Sequence, residues 1–113
     1  MKNLKNIVVF GELNLNRKGT MKTKVIFRRW KKAPKTVIAV FPELPGTINP
    51  VTCSSYEHTG QHGSCDSGIA GWTAPAKPDE YLYLFNELKR IGYDLQIIKR
   101  MRYSHYLKRK EQL

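Results

Sequence analysis

Thirteen consecutive residues, Cys53 to Cys65, hold both cysteines of the chain and two of its three histidines. Their spacing, C-x4-H-x3-H-x2-C, puts two thiols and two imidazoles within one short stretch, the donor types that zinc gathers into a tetrahedron. A zinc ion on Cys53, His58, His62 and Cys65 is therefore one reading. Against it stands the spacing, which matches no zinc finger, and the draw of all four ligands from one loop. The working expectation is no cofactor. A second reading is catalytic: His58 and His62 could share acid–base work on a phosphodiester, or a cysteine could attack with a histidine as base and Glu57 or Asp66 orienting it. The third is conformational. In the block Tyr56, His58, Gly60, Gln61, His62, Gly63, the two glycines permit a turn with positive φ, and the histidines cap or hydrogen-bond it.

Charge directs attention elsewhere. The 113 residues carry a formal net charge of +11. No Lys or Arg occurs between Lys35 and Lys77, where Glu43, Glu57 and Asp66 lie, so that segment is at −3 and the remainder at +14. Such asymmetry fits a surface for a polyanion and a separate face that is not one. Two segments mix cations with rings. FRRWKK places Arg28, Arg29, Lys31 and Lys32 beside Phe27 and Trp30. KRMRYSHYLKRK places Lys99, Arg100, Arg102, Lys108, Arg109 and Lys110 around Tyr103, His105 and Tyr106. Cations neutralise phosphates and ring faces stack on exposed bases, so these residues are the expected nucleic-acid contacts.

The elements that must position these groups follow from pattern. Val25–Trp30 is rich in β-branched and aromatic residues and reads as a strand. Lys31–Lys35 is a basic turn, and Thr36–Phe41, apolar on both faces, reads as a central strand hairpinned to the first. Pro42, Pro45, Gly46 and Pro50 punctuate a loop, Val51–Tyr56 a short third strand, and Thr59–Ala76 mostly loop. The clearest helix runs from Pro78 to Ile91. Proline suits its first position, Asp79 and Glu80 its positive end, and Gly92 its stop. Tyr81, Leu84, Phe85, Leu88 and Ile91 form its apolar stripe. Tyr93–Ile98 reads as a strand, with Tyr93, Leu95 and Ile97 on one face, and Arg100–Lys110 as a basic tail or short helix. The order β-β-(β)-α-β gives a small α+β domain, one helix on a mainly antiparallel sheet.

Residues 1–20 differ from the rest. Arg17, Lys18 and Gly19 can be written in purine-only codons, as before a bacterial start, so Met21 is the expected native start and residues 21–113 the domain. The alternative is a hairpin pairing Ile7–Leu15 with Lys22–Trp30. No apolar run exceeds five residues, which is too short to span a bilayer. The expectation is a cytoplasmic protein of the host cell with no membrane partner.

The blocks KVIFRRW, VIAVFPELPG, CSSYEHTGQHG and PDEYLYLFNELKRIGYDLQIIKR, in that order, resemble a family of small uncharacterised proteins of bacteria, their phages and mobile elements. The resemblance covers Met21 to about Arg102. Its most specific part is SYxHxGQHG, at Ser55, Tyr56, His58, Gly60, Gln61, His62 and Gly63. The chain departs from the pattern at Glu57, where an apolar residue is commoner, and at Cys65, where a small one is. The resemblance implies phage or mobile-element origin and favours the shaped turn over the zinc quartet. It carries no activity. The expected function is that of a non-enzymatic accessory protein binding nucleic acid or a nucleoprotein. The alternatives are a protein-binding inhibitor of a host defence system, whose partner would be a host protein, and a histidine-dependent nuclease.

Overall fold

The computed structural model describes residues 22–57 and 61–113. The expected Ile7–Leu15 strand, the Met21 start, and His58 and Gly60 of the loop lie outside the described residues. The architecture is α+β, a mainly antiparallel six-stranded sheet with two helices. Strands β1 (Thr23–Trp30), β2 (Ala33–Pro45), β3 (Thr52–Glu57) and β4 (Gln61–Asp66) form an antiparallel meander. A 3-10 helix, Ser67–Gly71, leads to β5 (Thr73–Pro75). Helix α1 (Pro78–Ile91), β6 (Leu95–Ile97) and helix α2 (Tyr103–Glu111) complete the chain.

The order across the sheet is β4-β3-β2-β1-β5. β1 is long enough to host two three-residue strands along its outer edge. β5 pairs antiparallel with Arg28–Trp30, and β6 pairs parallel with Thr23–Val25. Because β4 and β5 lie at opposite edges, the 3-10 helix between them crosses one face of the sheet. Its Ile69 is buried there against Ile26, Ile38, Val40 and Cys53.

The period of two along each strand sorts side chains onto two faces. On one, Val25, Phe27, Val37, Ala39, Phe41 and Tyr56 pack beneath Leu84 and Leu88 of α1. The centroid of the Phe27 ring lies 4.5 Å from that of Tyr81, stacked, and the Phe85 ring meets its edge at 6.4 Å. Burying a side chain such as Phe27 stabilises by about 1.5–3 kcal/mol. The Pro78 start, the acidic first turn and the Gly92 stop are all present in α1, and Gly92 has φ of 128°. Ile91, expected in the apolar stripe, is instead half exposed. The opposite face carries Ile38, Val40 and Cys53, with Ile98, Met101 and the 3-10 helix packed over it.

Several expectations change. β2 runs from Ala33 to Pro45, so it takes in the end of the expected Lys31–Lys35 turn and the Pro42 and Pro45 expected in a loop. Within the expected loop Thr59–Ala76, the described residues hold β4, the 3-10 helix and β5. Its Gly and Ser content hides a strand whose order comes from pairing with β3. The strand expected over Tyr93–Ile98 shrinks to Leu95–Ile97, with Leu95 buried and Ile97 exposed. Of the two readings of the basic C-terminal segment, tail or short helix, the structure has the helix, α2, and it covers part of the second face.

β2 explains why α2 docks. Pro42 and Pro45 interrupt its ladder with β3, where the register jumps between Phe41 and Pro45. Carbonyls in such a break need donors from outside the sheet. Arg109 of α2 supplies them, donating from Nη1 to the Pro42 carbonyl at 2.6 Å and from Nε to the Pro50 carbonyl at 2.7 Å. Gln112 adds a bond to the Glu43 carbonyl.

Candidate functional site

The register of β3 with β4 decides what the Cys/His stretch can do. Cys53 stands directly opposite Cys65, and Tyr56 opposite His62. Tyr56 is three positions on from Cys53, an odd step along the strand, so the two pairs project to opposite faces. Both cysteines are free thiols on the α2 face, and Cys53 donates to the Met101 sulfur at 3.9 Å. His62 lies on the α1 face, its Nε2 2.8 Å from the Tyr93 hydroxyl and its ring edge-to-face with Tyr56 at 4.9 Å. A tetrahedral ion cannot take Cys53, Cys65 and His62 together across the thickness of a sheet. Among the described residues no group of three or more potential metal ligands occurs.

The same parity separates His62 from either thiol, so a Cys–His62 dyad does not form. Burial pushes Cys53 up to about 11 and Cys65 up to about 12, and both stay protonated near neutral pH. Tyr56 donates its hydroxyl to the Glu87 carboxylate of α1, and burial followed by that bond raises it to about 12. Tyr56 and His62 thus anchor the β3–β4 hairpin to α1 and Tyr93. Gly63 is a strand residue opposite Ser55, not a turn residue. Among the described glycines, only Gly92 has a positive φ. Gln61 opens β4.

The two basic–aromatic segments are treated differently by the fold. In FRRWKK, alternation splits the residues. Phe27, expected to stack on bases, is 4% exposed in the core under α1. Arg29 turns to the same face and lies 3.8 Å from Glu80. Arg28 and Trp30 turn to the other. Arg28 is occupied by the Thr73 hydroxyl and carbonyl, both at 2.9 Å, and by the Ala70 carbonyl. Trp30 donates Nε1–H to Glu57 at 2.7 Å. Only Lys31 and Lys32 project from the hairpin tip, joined by Lys35.

The second segment keeps most of its charge outside. Lys99, Arg100, Arg102, Lys108 and Lys110 are exposed. Tyr103 is 71% exposed, and its ring stacks on that of the half-buried Tyr106 at 5.6 Å. Arg109 is the exception. It was expected to contact phosphate, but it is 1% exposed and spent on the two backbone carbonyls, with the Tyr106 ring 5.7 Å away. His105 is buried as well, accepting from the Arg102 N–H through Nδ1 at 2.9 Å, which closes the first turn of α2. Burial is the main cause that lowers its pKa.

A cleft of about 640 Å³ opens on the same face of the sheet as α2. Ile38 and Ser55 line its floor, Trp30 and Trp72 its sides, and Glu57 and Asp66 bring carboxylates to it. Sequence reasoning passed over Trp72, which stands in a Gly- and Ala-rich stretch that reads as loop. The available signal was that the chain has only two tryptophans.

No protein-family model, curated protein or solved structure matches the chain. No helix among the described residues is long and apolar enough to cross a membrane.

Proposed function

We propose that the protein binds single-stranded nucleic acid, without strong sequence preference, through α2 and the turn that leads into it. One observation carries this reading. Lys99, Arg100, Arg102, Lys108 and Lys110 are all exposed, and none takes part in an ion pair among the described residues. The only carboxylate from Lys99 to the C-terminus is Glu111. Unpaired cations on a fixed helix and turn can each displace a counterion from a phosphate, while exposed Tyr103 offers a ring face to a base.

Five such contacts on a single strand give a salt slope of about −3.5, which is roughly a hundredfold loss of affinity between 50 and 200 mM salt. A fluorescence-anisotropy titration with a labelled oligonucleotide measures it. Absence of binding at low salt overturns the reading. Affinity that does not change with salt removes the phosphate contacts from it.

A further inference from the structure

The Trp30–Trp72 cleft has the opposite electrostatic character from the rest of the surface. The chain is at +11, yet among the described residues no Lys or Arg lines this cavity, and two carboxylates do. Both tryptophans of the chain line it. Trp30 is held in place by its bond to Glu57 Oε2, and that bond leaves Glu57 Oε1 to take a second partner. Trp72, by contrast, is 72% exposed, a large apolar ring left on the surface among the described residues. The nearest cations are committed elsewhere. Arg28 is bonded to Thr73 and Ala70, and the Lys31 ammonium lies 3.4 Å from the Gly71 carbonyl, all on the segment around the 3-10 helix.

Indole faces attract cations through the ring quadrupole, and the attraction grows when carboxylates stand beside the ring and the cation is partly desolvated. A space of this size suits a small molecule, since ligand sites generally run from about 300 to 1,000 Å³. We infer that the cleft binds a small organic ammonium ion, with its charged head at the Glu57 carboxylate and its alkyl groups against Trp30, Trp72 and Ile38, while Asp66, further along the hairpin, adds to the negative field. Charge complementarity selects this occupant. A phosphate-bearing ligand would meet the Glu57 and Asp66 carboxylates, and a neutral one would leave their charge uncompensated, since among the described residues each accepts from a neutral N–H. No residue of α2 is among the described residues that line the cleft, so the site stands or falls independently of nucleic-acid binding.

Tryptophan fluorescence reports on this cleft alone, because both indoles are in it. Titration of the full chain with choline is expected to give a saturable change in emission. Its neutral counterpart of the same shape, 3,3-dimethylbutan-1-ol, is expected to bind at least about tenfold more weakly. Glu57→Gln, which keeps an acceptor for Trp30 and removes the charge, is expected to reduce choline affinity by about fivefold or more. Trp72→Ala, at an exposed position that leaves the core untouched, is expected to do the same, read from the remaining Trp30 emission. Equal affinity for choline and the alcohol overturns the proposal, as does no saturable change with choline. Tighter binding of a nucleoside monophosphate than of choline also overturns it, making the cleft a base pocket.

Discussion

FRRWKK and KRMRYSHYLKRK have the same ingredients, arginines and lysines interleaved with rings, yet the fold uses them in different ways. The first lies on a strand covered on both faces, so its side chains alternate into two packed layers. Phe27 enters the core, Arg29 faces Glu80, Arg28 ties down the segment before β5, and only the lysines of the turn remain outside. The second forms a turn and a helix docked along one side. Its inward residues, His105 and Arg109, are buried, and five cations and Tyr103 stay in solvent. The segments also lie apart. α2 reaches Pro42 and Glu43 near one end of β2, and the Lys31–Lys32 turn precedes the other. Nine residues of strand separate these ends by about 30 Å. A basic run in a sequence therefore gives the charge available, while the element it adopts determines how much of it reaches a partner.

Arginine deletions test this contrast most strongly. Arg109→Ala removes two charge-assisted bonds and leaves the Pro42 carbonyl buried without its donor, so a loss of about 3 kcal/mol or more is expected. For a domain of this size that corresponds to a melting temperature lower by more than about 10 °C. An unchanged melting temperature would put Arg109 on the surface after all. Arg28→Ala is expected to cost less, about 1–2 kcal/mol, because its guanidinium is only half buried. Loss of β5 amide protection before global unfolding would locate the effect. Lys108→Ala should stay within about 0.5 kcal/mol, and a larger loss would mean that this face of α2 is packed.

The buried histidine gives a smaller, pH-dependent difference between the segments. The folded His105 pKa is lowered mainly by burial. Glu43 raises it, and Lys24, Arg109 and Arg102 lower it further. Above the unfolded value of about 6.5 the imidazole is neutral in both states and the stability is unaffected. Below it the unfolded chain binds the proton more readily, so stability falls until the folded pKa is passed. Protonation also places a hydrogen on Nδ1, where the Arg102 N–H is accepted. The expected NMR titration of the His105 ring has its midpoint below 6.5. A midpoint at or above that value contradicts the buried N-terminal cap.

Much of this fold is legible in the sequence, and the exceptions have physical causes. Val37–Phe41, apolar on both faces, marks the central strand, and Pro78 and Gly92 bound α1 because each has a steric reason to stand there. β4 is not legible, since Gln61, Gly63 and Ser64 have little strand preference of their own and become a strand through the register with β3. That register also undoes the zinc quartet, because spacing along the chain does not report which side of a sheet a residue faces. Arg109 reads as surface by default. Its burial follows from two prolines far away in sequence whose neighbourhood needs donors. The cleft is invisible for the same reason, as Trp30 and Trp72 come to line one cavity only when the 3-10 helix crosses the sheet.

The most direct measurement compares two triple variants in the salt dependence of oligonucleotide binding. Arg102, Lys108 and Lys110 are changed to Ala in one, and Lys31, Lys32 and Lys35 in the other. If α2 is the interface, the first variant reduces the slope of log affinity against log salt by about 2 and the second leaves it nearly unchanged. A loss confined to the hairpin variant, or equal losses in both, would contradict that assignment.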